Sequence, residues 1–319
     1  MFDLPLILLT VAAGLCVLML LASYICYLLT FNNSGKDRDN PHSEIKLASY
    51  AQFKTQTTAL INEISAAPYE KLEIKSYDGL TLFGRYYHFS DGAPIEIQIH
   101  GYKGHAYRDF CGGARDARAR GHNLILVDQR AHGKSGGKTI SFGINERHDC
   151  LSWVNYAARR FGEDSKIFLI GMSMGAATVL MVSELPLPKN VVGIMADCPY
   201  SSPNEIIKKV IKTDLGLPVL IFYPFVRLGG RLFGGFDIES ASTEDAVASS
   251  RVPILILHGE RDSFVPCEMS EKIFTNVKAA DSKRVTFPDA DHGMSYLCHK
   301  DAYLREVESF MAAALSSAQ

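Results

Sequence analysis

Lys166-Ile167-Phe168-Leu169-Ile170 runs into Gly171-Met172-Ser173-Met174-Gly175 and then into Ala176-Ala177-Thr178-Val179-Leu180. A short apolar run with β-branched and aromatic residues reads as a buried strand, and the alanine-rich continuation reads as a helix. Between them stands G-x-S-x-G. In that context the serine sits on a strained strand-to-helix turn, and the flanking glycines let strand and helix approach closely. Ser173 Oγ would then project from the rim of a sheet, with backbone N–H groups at the helix start beside it.

Other buried-strand patterns surround this one. Ile95–Ile99, Leu124–Val127, Val191–Met195, Ile254–Leu257 and Arg284–Phe287 alternate with helical stretches near Tyr107–Arg120, Glu146–Phe161, Cys267–Val277 and Asp301–Ala314. Leu72–Tyr77 and Leu80–Phe89, joined by Asp78-Gly79, read as an antiparallel hairpin. Apolar strands linked by helices imply a mostly parallel sheet covered on both faces, with functional residues at the carboxyl ends of the strands.

A serine needs a base and a group to orient that base. His258-Gly259-Glu260-Arg261-Asp262 starts at the end of the Ile254–Leu257 strand, and Asp289-Ala290-Asp291-His292-Gly293 follows the last strand. Ser173, Asp262 and His292 therefore form the candidate catalytic set, with His292 as base and Asp262 holding its imidazole. Glu260 is the rival acid but lies closer to the strand end. Asp289 and Asp291 are read as shaping the loop, and His258 as a satisfied core histidine. The ten histidines show no metal-ligand spacing, so no metal or cofactor is expected.

Taken together, these residues resemble the α/β-hydrolase superfamily over roughly Leu72 to Ala314. Ile99-His100-Gly101-Tyr102 resembles that family's oxyanion loop. Asp128-Gln129-Arg130-Ala131-His132-Gly133-Lys134-Ser135 resembles its D-x-R-x-H-G-x-S turn, and His258 to Pro266 its H-G-x-x-D-x-x-V-P acid loop. The subgroup most similar collects serine aminopeptidase-like, monoacylglycerol lipase-like and membrane-anchored bacterial hydrolases. The resemblance implies an eight-stranded, mostly parallel sheet with helices on both faces and a helical cap. It also implies that the backbone N–H groups of Tyr102 and Met174 serve as oxyanion donors. Dehalogenase and epoxide hydrolase members carry an aspartate where Ser173 stands, which disfavours those chemistries.

The chain has 319 residues and a formal net charge of −2, room for one large or two small domains. That near-neutral balance argues against a nucleic-acid-binding surface. Leu4 to Phe31 holds no Lys, Arg, Asp or Glu. A helix of that length runs roughly 42 Å at about 1.5 Å per residue, against about 30 Å of bilayer core. A cleaved signal is the competing reading, but no basic residue precedes the run and it is too long for a signal core. Residues 1–31 are therefore expected to be a transmembrane anchor and 32–70 a tether with an amphipathic helix. Residues 71–319 would form the catalytic domain. Lys36, Arg38, Lys46 and Lys54 follow the anchor, which by the positive-inside rule places the body in the cytoplasm. Seven scattered cysteines without CxxC fit a reducing compartment.

A cap insertion is expected at about 200–250, where the family commonly places one. Phe222, Tyr223, Phe225, Leu228, Leu232 and Phe233 would either face the substrate or pack the cap onto the body, two readings that stand equal. The expected activity is hydrolysis of a carboxylic ester with a lipophilic or aromatic acyl group through an acyl-enzyme. A peptidase or amidase with the same three residues is the alternative, although no dedicated acidic site for a peptide amino group is visible. A non-catalytic binding protein on the same fold is the third.

Overall fold

The computed structural model describes residues 4–43 and 48–318. Eight strands build one sheet: β1 (Glu70–Lys75), β2 (Thr81–Tyr87), β3 (Ile95–Ile99), β4 (Asn123–Asp128), β5 (Ile167–Met172), β6 (Val191–Asp197), β7 (Ile254–Gly259) and β8 (Lys283–Phe287). Their order is β1-β2-β4-β3-β5-β6-β7-β8. β1 and β2 are antiparallel, β2 runs antiparallel to β4, and every other pair is parallel. β3, β4, β6 and β7 are buried along their whole length, which is why they read as continuous apolar runs rather than alternating ones.

The helices are α1 (Leu4–Thr30), α2 (Lys54–Ala66), α3 (Ala106–Arg120), α4 (Glu146–Phe161), α5 (Met174–Met181), α6 (Pro203–Lys209), α7 (Val219–Gly229), α8 (Thr243–Val247), α9 (Cys267–Thr275), α10 (Ser295–Cys298) and α11 (Lys300–Ser317). Trp153 and Val154 of α4, Val179 of α5 and Ile273 of α9 share one core with the sheet. Leu60 and Ile61 of α2, Phe110 of α3 and Phe310 of α11 belong to the core on the other side. The amphipathic segment thus packs on the body through α2; Ile45, part of the pattern that predicts it, lies outside the described residues. Asp128 anchors the turn after β4. It takes a two-point contact from buried Arg85 (2.7 and 3.2 Å) and accepts from Lys134 N–H (3.0 Å).

A third core unites α1, α7 and the face of α5. Ser23 and Tyr27 of α1 are buried, and Phe31 lies edge-on between the rings of Phe142 and Phe236. The polar segment expected as a flexible tether is held against the body instead. Asn33 N–H donates to Lys138 O, and Arg38 donates to the carbonyls of Gly137 and Ser135. Its polar groups satisfy loop carbonyls that a loose tether would leave to water.

α1 and α7 meet at Gly229, where an added Cβ would stand 2.4 Å from Ser23 O. Gly229→Val is expected to force the helices apart at a cost of about 1–3 kcal/mol. The readout is a lower Tm in detergent; an unchanged Tm would mean that the contact does not form.

Candidate active site

Ser173 adopts φ +55° and ψ −116°, a backbone conformation that side chains rarely accept. The surrounding glycines are what permit it. A Cβ on Gly175 would lie 1.9 Å from Ile99 O, and one on Gly171 would lie 2.2 Å from Gly175 O. The turn is fixed by Ser173 N–H donating to Asp197 O (2.8 Å), and α5 starts with Ala177 N–H donating to Ser173 O (3.0 Å).

His292, in the loop after β8, brings Nε2 to 3.0 Å from Ser173 Oγ and Nδ1 to 2.7 Å from Asp262 Oδ2. Three residues far apart in the chain thus meet at the carboxyl edge of the sheet. Asp262 is fixed from its other oxygen, since Oδ1 accepts from the N–H groups of Phe264 (2.9 Å) and Val265 (2.7 Å). Burial alone would lower the His292 pKa. The charge and hydrogen bond of Asp262 outweigh it and hold the group above its ordinary 6.5. Asp262 is affected in reverse: burial raises its pKa, but His292 and His258 prevail and keep the carboxyl well below its usual range.

The rival acids are engaged elsewhere. Glu260 accepts from Thr286 Oγ1 (2.7 Å) on the surface, and Asp289 pairs with Arg261. Asp291 shapes the loop by accepting from the N–H groups of Ser263 (2.9 Å) and His292 (2.8 Å). His258 is more than a core histidine. Its Nε2 faces two acceptors, Val265 O (3.0 Å) and Asp262 Oδ2 (3.2 Å), so Nε2 carries the hydrogen and supports the acid from behind.

The loop after β3, Gly101 to Lys103, is held by two buried histidines. His132 Nε2 accepts from Lys103 N–H (3.0 Å), while its Nδ1 donates to Arg130 O (2.9 Å). His100 Nε2 accepts from Gln129 N–H (3.1 Å), while its Nδ1 donates to Gly101 O (2.9 Å). Each ring is therefore a neutral tautomer, and burial pushes both pKa values down. Gly101 rests against the serine, its Cβ position 3.3 Å from Ser173 Cβ, with Tyr102 next to it. Among the described residues, the N–H groups of Tyr102 and Met174 donate to no protein acceptor.

A cavity of about 270 Å³ opens beside Ser173 and His292. Gly112 and Gly113 of α3, Tyr296, Leu304 and Met195 are among the residues that line it. α3 is kinked at Phe110 (φ −120°, ψ 19°), and a Cβ on Gly112 would strike the Tyr296 ring at 2.5 Å. None of Phe222, Tyr223, Phe225, Leu228, Leu232 and Phe233 lines this cavity. Tyr223 and Phe222 pack onto the body, whereas Leu232 and Phe233 are exposed and fit neither reading of the cap aromatics; α7 spends its buried face on α1 and the body.

Sequence reasoning missed Asp197, the last residue of β6, which lines the cavity near His292. The carboxyl-edge rule that located Ser173 and Asp262 would have located it too. Its Oδ2 accepts from Tyr303 OH (3.1 Å), and its buried Oδ1 has no partner among the described residues. Burial pushes its pKa up to about 6, with His258 and Tyr303 opposing.

Residues 97–220 match the family described as alpha/beta hydrolase fold, and residues 232–318 match the prolyl oligopeptidase family. The chain belongs to the α/β-hydrolase superfamily. Among curated members, the uncharacterized protein YqkD of Bacillus subtilis is 26% identical over 60% of this chain and 62% of its own. The chain thus spans about six-tenths of the length of the curated relatives it first matches. Esterase Pf2001 of Pyrococcus furiosus shares the fold with a TM-score of 0.64 at 24% identity, over 79% of this chain and 93% of its own. Est1E of Butyrivibrio proteoclasticus, solved with ferulic acid bound, does so with 0.61 at 23% identity, over 77% and 99%. α1 is a helix long and apolar enough to cross a membrane.

Proposed function

We propose that this chain is a serine hydrolase that cleaves carboxylic esters carrying a lipophilic or aromatic acyl group. The observation that carries the reading is the unbroken relay from Ser173 Oγ through His292 (3.0 and 2.7 Å) to Asp262. His292 Nε2 takes the Oγ proton as Oγ attacks the carbonyl carbon, and the N–H groups of Tyr102 and Met174 stabilise the tetrahedral oxyanion. Nε2 then returns the proton to the departing alkoxide. Water enters, loses a proton to His292 and attacks the acyl carbon, and His292 then gives that proton to Ser173 Oγ as the acid departs. The lipophilic preference rests on the aliphatic walls of the cavity, Ile170, Met195, Leu257, Leu304 and Val307. In this reading α1 is an uncleaved single-pass anchor, and the basic residues after it place the body in the cytoplasm.

The second reading keeps the mechanism and changes the bond to a peptide or amide. Asp197 favours it, because an acidic residue in the cavity wall suits a substrate ammonium group. A chain-length series of p-nitrophenyl esters set against aminoacyl amides separates the two. Ester kcat/KM is expected to exceed amide kcat/KM and to rise with acyl length. The opposite ranking transfers the assignment to the peptidase.

The pH dependence follows from His292. A base whose pKa lies above 6.5 is protonated and idle below that value, so kcat/KM should rise with pH through an apparent pKa above 6.5. A profile on a neutral ester that stays flat from about pH 5 to 7 would contradict this role for His292.

A further inference from the structure

α7 is apolar on both sides. Tyr223, Val226 and Gly229 face α1 and the body. On the opposite side Leu220 is 93% exposed and Ile221 57%, and Leu232 just beyond the helix is 52% exposed. Apart from Arg227, which pairs with Asp237 and Glu239, α7 carries no charge; a helix this apolar belongs in a protein core or against lipid, and α7 has a core on one side only. From Leu215 to Gly235 the only charged residues are Arg227 and Arg231, with no acidic side chain.

The position of α1 identifies what covers that face. Residues 4–21 are exposed throughout, and packing on the body begins at Ser23. The exposed part of the helix is roughly 27 Å long at about 1.5 Å per residue, close to the hydrocarbon thickness of about 30 Å. The membrane boundary therefore falls where Ser23 and Tyr27 touch Gly229. Tyr24 meets Phe233 edge-on at that level with ring centroids 5.0 Å apart, an aromatic pair suited to the interface.

We propose that the open face of α7, with Leu232 and Phe233, is seated in the bilayer interface beside α1. The inference rests on reading α1 as membrane-spanning, and it makes the cap a second membrane contact. It also places the catalytic loop near the lipid, since Tyr102 OH donates to Thr30 O (2.8 Å) at the end of α1. An amphiphile already dissolved in the bilayer would then reach Ser173 without crossing bulk water.

The native tryptophan, Trp153, is buried in the core and serves as the blank for a quenching test. Leu220→Trp, Leu9→Trp and Asp91→Trp are made in the full chain and reconstituted in phosphatidylcholine vesicles brominated on the upper acyl chain. The Leu220→Trp emission is expected to be quenched by the brominated lipid and shielded from iodide, as fits burial of about 5–10 Å. Asp91→Trp, on an exposed loop, should show the reverse. Quenching of Leu220→Trp by iodide alone, with Leu9→Trp still quenched by lipid, overturns the cap contact and leaves the anchor standing. If Leu9→Trp also escapes the lipid, the anchor reading falls and takes this inference with it. Shielding of Leu220→Trp from both quenchers means that protein, such as a second copy, covers the face, which also overturns the proposal.

Discussion

Ser173→Ala is expected to lower kcat by about six orders of magnitude while leaving the fold in place. Ser173 Oγ is the nucleophilic oxygen that His292 Nε2 reaches, at 3.0 Å. Alanine retains the Cβ and the same strained φ of +55°, so the turn is no worse off than with serine. The backbone bonds to Asp197 O and from Ala177 N–H do not involve the side chain. What remains is oxyanion stabilisation and binding without an attacking group. Steady-state kinetics on a p-nitrophenyl ester, with circular dichroism as the folding control, read the effect. Residual activity above about 1% of the parent in a purified, folded variant would refute the nucleophile assignment.

Asp262→Asn should cost about four orders of magnitude in kcat, whereas Glu260→Gln should change it only slightly. The reason is a tautomer. At Asp262, Oδ1 is committed to the N–H groups of Phe264 and Val265, so an asparagine would keep its carbonyl there and turn its NH2 toward His292 Nδ1. Facing a donor, Nδ1 must accept, which moves the ring hydrogen to Nε2. Nε2 then points a hydrogen at Ser173 and has no lone pair to take its proton. Glu260, bonded to Thr286 at the surface, has no such link to the imidazole. A larger loss in Glu260→Gln than in Asp262→Asn would transfer the acid role.

The edge where Ser173, Asp262 and His292 meet was legible because its signals are local. A buried strand, G-x-S-x-G and a helix follow one another without a gap, and the acid and base loops each follow an apolar strand. The location of the cavity was not. It depends on the kink at Phe110 and on Gly112 lying opposite Tyr296, a contact that joins segments remote in sequence. The partner of α7 was equally hidden, because its pattern marks Tyr223, Val226 and Gly229 as one face without saying that α1, nearly two hundred residues earlier, is what meets it. The tether misled for the opposite reason. Asn33 and Arg38 look like solvated linker residues, and only the loop at 131–139 supplies the carbonyls that hold them.

The relay itself is tested most directly by a fluorophosphonate, which phosphonylates an activated serine and ignores ordinary ones. Intact mass should increase by one phosphonyl group, peptide mapping should place it on Ser173, and His292→Ala should abolish the reaction. A folded parent protein that never takes up the label at Ser173 would contradict the account.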